Sequence, residues 1–271
     1  MTKITFLGTG GGRFATVYQV RRTGGIYIEA GARLHLDPGP GAAVGLHERR
    51  MDPARTDAVL ISHCHPDHYG DAETMVEGMT ACSLARRGVL AGSRSAITGN
   101  GDFGPAVSEY HKRIVPVVRA LAPGDELMVK RLRVVATRTS HSDPDGIGFR
   151  FYTPDGIVSY VSDTELKEEV VREHFGARVL IMNVTRPLRS RVRHHMSTED
   201  AAEMTKAIAP DLAVLTHFGS KLVHEGVEGQ REYVENEAGV RAVAAEDFMR
   251  ITINDCIAIR NAGLHRKTRP F

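Results

Sequence analysis

The run Ser62-His63-Cys64-His65-Pro66-Asp67-His68 constrains this chain more than any other stretch, because it places three imidazoles and a carboxylate on one short loop. In an extended segment the side chains of His63 and His65 leave the same side of the backbone and can meet one ion, while Asp67 and His68 point toward a second. Asp57-Ala58-Val59-Leu60-Ile61, just before it, reads as a buried strand. The loop therefore opens at a strand's C-terminal end, where open α/β sheets gather ligands. An isolated histidine is ordinarily a packed or surface residue, but a cluster this dense, stiffened by Pro66, is metal-site chemistry.

Such a site needs donors from elsewhere, and they stand in equivalent places. His141 follows the run 133–137, Asp163 follows 157–161 and His217 follows 212–215, each run apolar and rich in β-branched residues. Each donor thus falls just past a strand, where a sheet edge would collect it.

These pieces, in this order, resemble the metallo-β-lactamase superfamily of binuclear hydrolases over nearly the whole chain. The opening Ile4-Thr5-Phe6-Leu7-Gly8-Thr9-Gly10-Gly11-Gly12, with Leu36-Asp37-Pro38-Gly39-Pro40-Gly41, is similar to the branch of ribonuclease Z and the cyclic-phosphate phosphodiesterases. The resemblance implies an α/β fold arranged as a four-layer αββα sandwich. It also implies that His63, His65 and His141 hold one divalent ion, that Asp67, His68 and His217 hold another, and that Asp163 bridges them. Asp37 would not bind metal but would buttress the ligand loop. No ligand position departs from the family pattern.

At 271 residues the chain can form one large domain over 1–271, since no linker, low-complexity segment or internal repeat divides it. A net charge of +2 does not by itself suggest a nucleic-acid surface. The chain lacks a run of about 20 apolar residues, the length needed to span a membrane, and opens directly on a strand-like run rather than a signal peptide. Cys64, Cys82 and Cys256 are odd in number and far apart, so no disulfide framework is expected, and the protein is expected in the cytoplasm. Cys64 should point away from the metals by strand alternation.

Early segments 3–7, 16–20, 25–29 and 34–37 read as short antiparallel strands, and Gly148 to Val161 as a hairpin turning at Pro154-Asp155-Gly156. Helices are expected over 71–87, 167–175 and 198–208, the last opening on a Ser197 cap.

Three features bear on substrate. In the family's ribonuclease Z-like branch a His followed closely by Ser or Thr, before the helix leading to the last ligand, contacts the scissile phosphate; the resemblance assigns this place to His195 and Ser197, with His194 as the neighbouring register. The loop Arg186-Pro187-Leu188-Arg189-Ser190-Arg191-Val192-Arg193 suits phosphate, because guanidinium binds phosphate oxygens in pairs, and Arg186, Arg189 and Arg193 are candidate contacts. The segment from Gly99 to Pro116 is Gly-rich and aromatic and sits where a lid could arise, with Tyr110 and His111 as lining candidates.

The expected chemistry is hydrolysis of small cyclic or linear phosphodiesters by a metal-bound hydroxide, since zinc lowers the pKa of bound water to about 7. Asp67 would orient the nucleophile or take its proton, and His195 would stabilise the transition state or protonate the leaving group. Imidazole-rich ligation favours zinc over manganese or iron. Lactone or thioester hydrolysis is an alternative with the same metals. Processing of tRNA 3′ ends is another, less favoured because the 148–161 interval leaves no room for the long arm that tRNA-processing members carry. A non-catalytic metal-dependent binding protein is the remote case. A homodimer is compatible with the sequence.

Overall fold

The computed structural model describes residues 1–261, so the last ten residues of the expected domain lie outside the described part. The first sheet contains β1 (Thr2–Phe6), β2 (Ile26–Glu29), β3 (Arg33–Leu36), β4 (Ala58–Ile61), β5 (Val89–Ser93) and β6 (Val117–Leu121). The second contains β7 (Glu126–Val129), β8 (Leu132–Arg138), β9 (Ile147–Thr153), β10 (Gly156–Tyr160), β11 (Val179–Arg186), β12 (Met196–Ser197), β13 (Leu212–Thr216) and β14 (Ala242–Ala244). The chain then returns to the first sheet with β15 (Arg250–Ile253) and β16 (Ile257–Arg260). Strand order is β16-β15-β1-β2-β3-β4-β5-β6 in one sheet and β14-β13-β11-β10-β9-β8-β7 in the other, with β12 paired to β11.

Helices α1 (Arg13–Val17), α2 (Ala42–Glu48), α3 (Pro66–Tyr69), α4 (Ala72–Met79), α5 (Arg94–Ile97) and α6 (Glu109–Ile114) fall in the first half. Helices α7 (Glu168–Arg172), α8 (Thr198–Ile208), α9 (Ser220–Glu225) and α10 (Val227–Ala238) fall in the second.

The layers follow from side-chain alternation. In β4, Ala58 and Leu60 enter the core between the sheets, while Val59 and Ile61 pack outward with Leu46 of α2 and Met75, Val76 and Met79 of α4. In β11, Val179 and Ile181 face inward and Leu180, Met182 and Val184 face outward toward Ala201 and Met204 of α8. A strand buried on both faces reads as an unbroken apolar run, which is why 57–61 and 212–215 stand out. Two sheets with helices on both outer faces make the expected αββα sandwich.

Three local expectations are corrected. Segment 16–20 is not a strand: it is the end of α1 and the turn after it, and Val17, Tyr18 and Val20 are exposed. Its alternation mimics a strand, but β1 already pairs with β2 and β15, so no edge is left for it beside β1. The 71–87 helix stops at Met79, because Ala81, Cys82 and Ser83 take left-handed backbone angles and turn the chain toward β5, leaving Leu84 exposed. Arg87 ties that turn down through Asp57 and the carbonyls of Ala54 and Met79. The 167–175 helix shortens to α7, with Lys167 as its extended N-cap residue.

The remaining early strands match, as do the β9–β10 hairpin and α8. Helix α8 carries a full capping box in which the Ser197 hydroxyl accepts from the Asp200 backbone and the Asp200 carboxylate accepts from the Ser197 backbone.

Candidate metal centre

All seven predicted ligands meet at the C-terminal ends of β4, β8, β10 and β13. His63 Nε2 lies 3.1 Å from His65 Nδ1, which lies 3.2 Å from His141 Nε2. The His141 Nδ1 donates to the His194 carbonyl at 2.7 Å, and a carbonyl can only accept. The proton is therefore on Nδ1, and Nε2 presents a lone pair. The second set is built the same way: His68 Nδ1 donates to Asp37 at 2.8 Å, and His68 Nε2 faces His217 Nε2 at 3.0 Å. Asp67 Oδ2 lies 3.2 Å from His217 Nε2.

The donor atoms of His63, His65 and His141 lie within 4.8 Å of one another, as do those of Asp67, His68 and His217. Asp163 joins two further such groups, one with His63 and His68 and one with His141 and His195.

These residues fit divalent cations. His65 Nδ1 can donate to only one of its two close nitrogen neighbours, so one short N···N contact has no proton in it. A cation removes that repulsion. Burial, helped by neighbouring imidazoles, holds His63, His65 and His141 below the ordinary histidine pKa, so they are neutral, the form that ligates metal. Burial should raise Asp67 and Asp163, yet the surrounding imidazoles outweigh it and keep both carboxyls well below the usual range. Burial likewise disfavours charge on His68, but Asp37, Asp67 and Asp163 outweigh it and push His68 up to about 10. A metal ion bound at Nε2 would take the place of that proton.

Behind the ligands sits a connected second layer of hydrogen bonds. Asp37 accepts from the Ser62 backbone at 2.6 Å, the Ser62 hydroxyl at 2.7 Å, the Tyr160 phenol at 2.8 Å and His68. These bonds tie Asp37 to both ends of the 62–68 loop. Asn183 donates to Asp163 at 2.7 Å and to the Tyr160 oxygen at 3.0 Å. Thr185 reaches His217 Nδ1 at 3.3 Å. Asp143 accepts from the Cys64 backbone at 2.8 Å, and the Cys64 thiol packs in the outer core, away from the donors as expected. The sequence pattern did not single out Ser62, Asp143, Tyr160, Asn183 or Thr185; Ser62, Tyr160 and Thr185 stand at or beside strand ends, whereas Asn183 lies inside β11 and Asp143 in the loop between β8 and β9.

Of the candidate substrate residues, His195 faces the site: its Nδ1 is 3.5 Å from Asp163 Oδ2. His194 instead takes a left-handed backbone turn, with its N–H held by Glu165 at 2.6 Å and its carbonyl on His141. His195 borders two cavities. One, of about 370 Å³, is lined by residues including Arg13, Phe14, Arg186 and Lys221. The other, of about 330 Å³, is lined by Glu165, Leu166, Arg191, Val192, Arg193 and Asp200. Arg186 and Arg193 thus border the approach to His195, while Arg189 lines neither cavity and lies exposed.

Two assignments are corrected. Ser197 is fully buried and its hydroxyl is spent on the α8 cap, so it offers nothing to a substrate. His111 lies on α6, 3.1 Å from Glu73 and 3.3 Å from Glu77 of α4, and is not among the clustered donors. From the expected lid it is Phe103 that reaches the centre, its ring 5.6 Å from that of His65.

The comparisons with known proteins agree with this geometry. Residues 32–218 match a family model described as a β-lactamase superfamily domain. An uncharacterised protein of Methanocaldococcus jannaschii is 39% identical over 254 residues, which span 93% of this chain and 95% of the relative. A ribonuclease Z of Methanopyrus kandleri is 27% identical, the match covering 90% of this chain and 95% of the relative. Among solved structures, the metallo-β-lactamase fold protein YhfI of Bacillus subtilis superposes with a TM-score of 0.76 at 19% identity, covering 92% of this chain and 98% of that one. With its αββα sandwich and a complete set of His and Asp donors at the sheet ends, this chain belongs to the metallo-β-lactamase superfamily of metal-dependent hydrolases.

Proposed function

We propose that the protein is a binuclear zinc-dependent phosphodiesterase acting on small phosphodiesters in the cytoplasm. The observation that carries this reading is the pairing of two adjoining donor sets with a cation-lined cavity beside His195. Divalent ions held by His63, His65 and His141 and by Asp67, His68 and His217, with Asp163 between the sets, would supply Lewis acidity and a water of pKa about 7.

The chain's own residues do the rest. Asp67 is held by the Gly12 N–H at 2.7 Å and orients the attacking water from a fixed position. His195, buried on one side and open to both cavities on the other, donates a hydrogen bond to the phosphoryl or leaving-group oxygen. Burial lowers its pKa against the opposing pull of Asp163, so it acts as a neutral donor. Arg13, Arg186 and Lys221 favour an anionic substrate over a neutral lactone or thioester.

Ribonuclease activity is the second reading, favoured by the Methanopyrus kandleri relative. Against it, β9 and β10 are joined by the two residues Pro154 and Asp155, so the interval carries no arm. Duplex contacts make affinity fall steeply with salt, by roughly 0.9 log units per log unit of salt for each neutralised phosphate. The deciding experiment compares kcat/KM for bis(p-nitrophenyl) phosphate and for a 3′-extended precursor tRNA at low and physiological salt. A small diester should be the better substrate, with weak salt dependence. Preference for tRNA at physiological salt would overturn the reading.

A further inference from the structure

We infer that the cavity between α1 and α9 is a subsite for a second anionic group on one limb of a linear phosphodiester, an inference that rests on the phosphodiesterase reading above. Three cations enter this cavity from separate parts of the chain, Arg13 at the start of α1, Arg186 at the end of β11 and Lys221 in α9. No Asp or Glu is among its lining residues. The neighbouring cavity is different, since Arg191 and Arg193 there are balanced by Glu165 and Asp200, and Arg191 bonds Asp200 at 2.9 Å.

Among the described residues Arg13 and Arg186 form no ion pair, and Arg186 Nε is occupied only by the Ser190 carbonyl at 3.2 Å. Lys221 is held by the Ser190 hydroxyl at 2.6 Å and lies 3.7 Å from Glu225. With Lys221 shared with Glu225, the two guanidiniums of Arg13 and Arg186 carry the unbalanced charge around this concavity, and cations so gathered concentrate positive potential and recruit anions.

The cavity is fixed relative to the metal centre rather than loosely beside it. The Gly12 N–H is bonded to Asp67, the Gly11 N–H reaches the Phe218 carbonyl at 3.2 Å, and a Cβ on Gly11 would fall 2.2 Å from the His217 ring. Only glycine permits that approach, and Arg13 follows two residues after this backbone position packed on the His217 ring. His195 lines the cavity and at the same time lies 3.5 Å from Asp163 of the metal centre. Phe14 adds a flat apolar wall: it is 71% exposed and stacks on Tyr18 at 6.5 Å, which suits a sugar or planar ring between the two anionic groups. A cyclic diester compact enough to sit on the ions would leave these cations unused. The favoured substrate is therefore linear and carries a further phosphate on the limb that runs past Phe14.

The test uses thymidine 5′-(p-nitrophenyl phosphate) with and without a 3′-phosphate, on the full chain loaded with metal. The 3′-phosphate should raise kcat/KM about tenfold or more, as charge-assisted hydrogen bonds from guanidinium supply, and mainly through KM. Arg13→Ala should reduce that ratio to less than about threefold, and Arg13→Lys should keep most of it, which a merely structural role would not do. Calorimetric titration of thymidine 3′,5′-bisphosphate against thymidine 5′-monophosphate should show the same ratio in affinity and the same loss in Arg13→Ala. A ratio near one in the unaltered protein, or one that survives in both Arg13→Ala and Arg186→Ala, would overturn the subsite. Absence of turnover of either diester with two ions bound would instead remove the phosphodiesterase reading, and the calorimetric ratio would still decide the subsite.

Discussion

The floor of the site and its rim are built on opposite physical terms. On the floor, His63, His68 and Asp163 are almost fully buried, and each ring or carboxylate is held by a second partner such as Asp37, Asn183 or Ser62. On the rim, Arg13, Phe14, Arg189 and Arg193 are exposed and have few partners. The floor fixes geometry that a metal ion requires, and its members cannot be exchanged without loss. The rim sets what is admitted, and its members can change while the chemistry stays.

The contrast is most directly attacked at Asp163. Asp163→Ala should leave fewer than two metal equivalents per chain after reconstitution and abolish measurable turnover, because one carboxylate faces both donor sets. Two equivalents retained in this variant would end the bridging assignment.

At the boundary between floor and rim, His195→Ala should keep both ions and lose turnover by about 10²-fold. His195 is within reach of the His141 and Asp163 donors, so metal analysis of the same sample matters: a lost ion would make His195 a ligand instead.

One layer further back, Tyr160→Phe removes a hydrogen bond to Asp37 and should weaken metal affinity by about 10-fold or more, the range for second-layer partners. Chelator competition measures this, and an unchanged affinity would mean that Asp37 needs only Ser62 and His68.

Acid should strike the buried interior before the rim. His35 and His174 are fully buried, and burial holds them down to about 4 and about 3, with the Arg150 guanidinium adding to the effect at His174. In the unfolded chain their pKa is about 6.5. Between these values the unfolded state binds more protons, so this stability is present above pH of about 6.5 and is lost as pH falls toward about 4. Denaturant unfolding of metal-free His174→Phe should show a pH dependence flatter than the parent by about 1.4 kcal/mol per pH unit near pH 5. Parallel slopes would mean that folded His174 carries a proton.

The smallest effect belongs to the rim: Arg193→Ala should change stability by no more than about 0.5 kcal/mol, as exposed substitutions do. A larger loss, read by thermal unfolding, would show that the Arg loop braces the floor.

The ligand run and the donors after strands were legible in the sequence because they rest on local periodicity: alternation places His63 and His65 on one side and Cys64 on the other, and strand ends are marked by where apolar runs stop. The α8 cap was legible for the same reason, since Ser197 and Asp200 are three residues apart. Other parts needed the assembled sheets. Tyr160 and Asn183 meet at Asp37 and Asp163 only because β10 and β11 pair in parallel with Tyr160 opposite Ile181, a register that no local pattern specifies. Segment 16–20 alternates like a strand, but the sheet had no edge for it beside β1, so it became the end of α1 and a turn. Arg13 lies far from His195, Arg186 and Lys221 along the chain, and their convergence on one cavity follows from hydrogen bonds that join the Gly10–Gly12 loop to Asp67 and Phe218. Local pattern thus determined the metal chemistry, whereas long-range pairing and packing decided what surrounds and supports it.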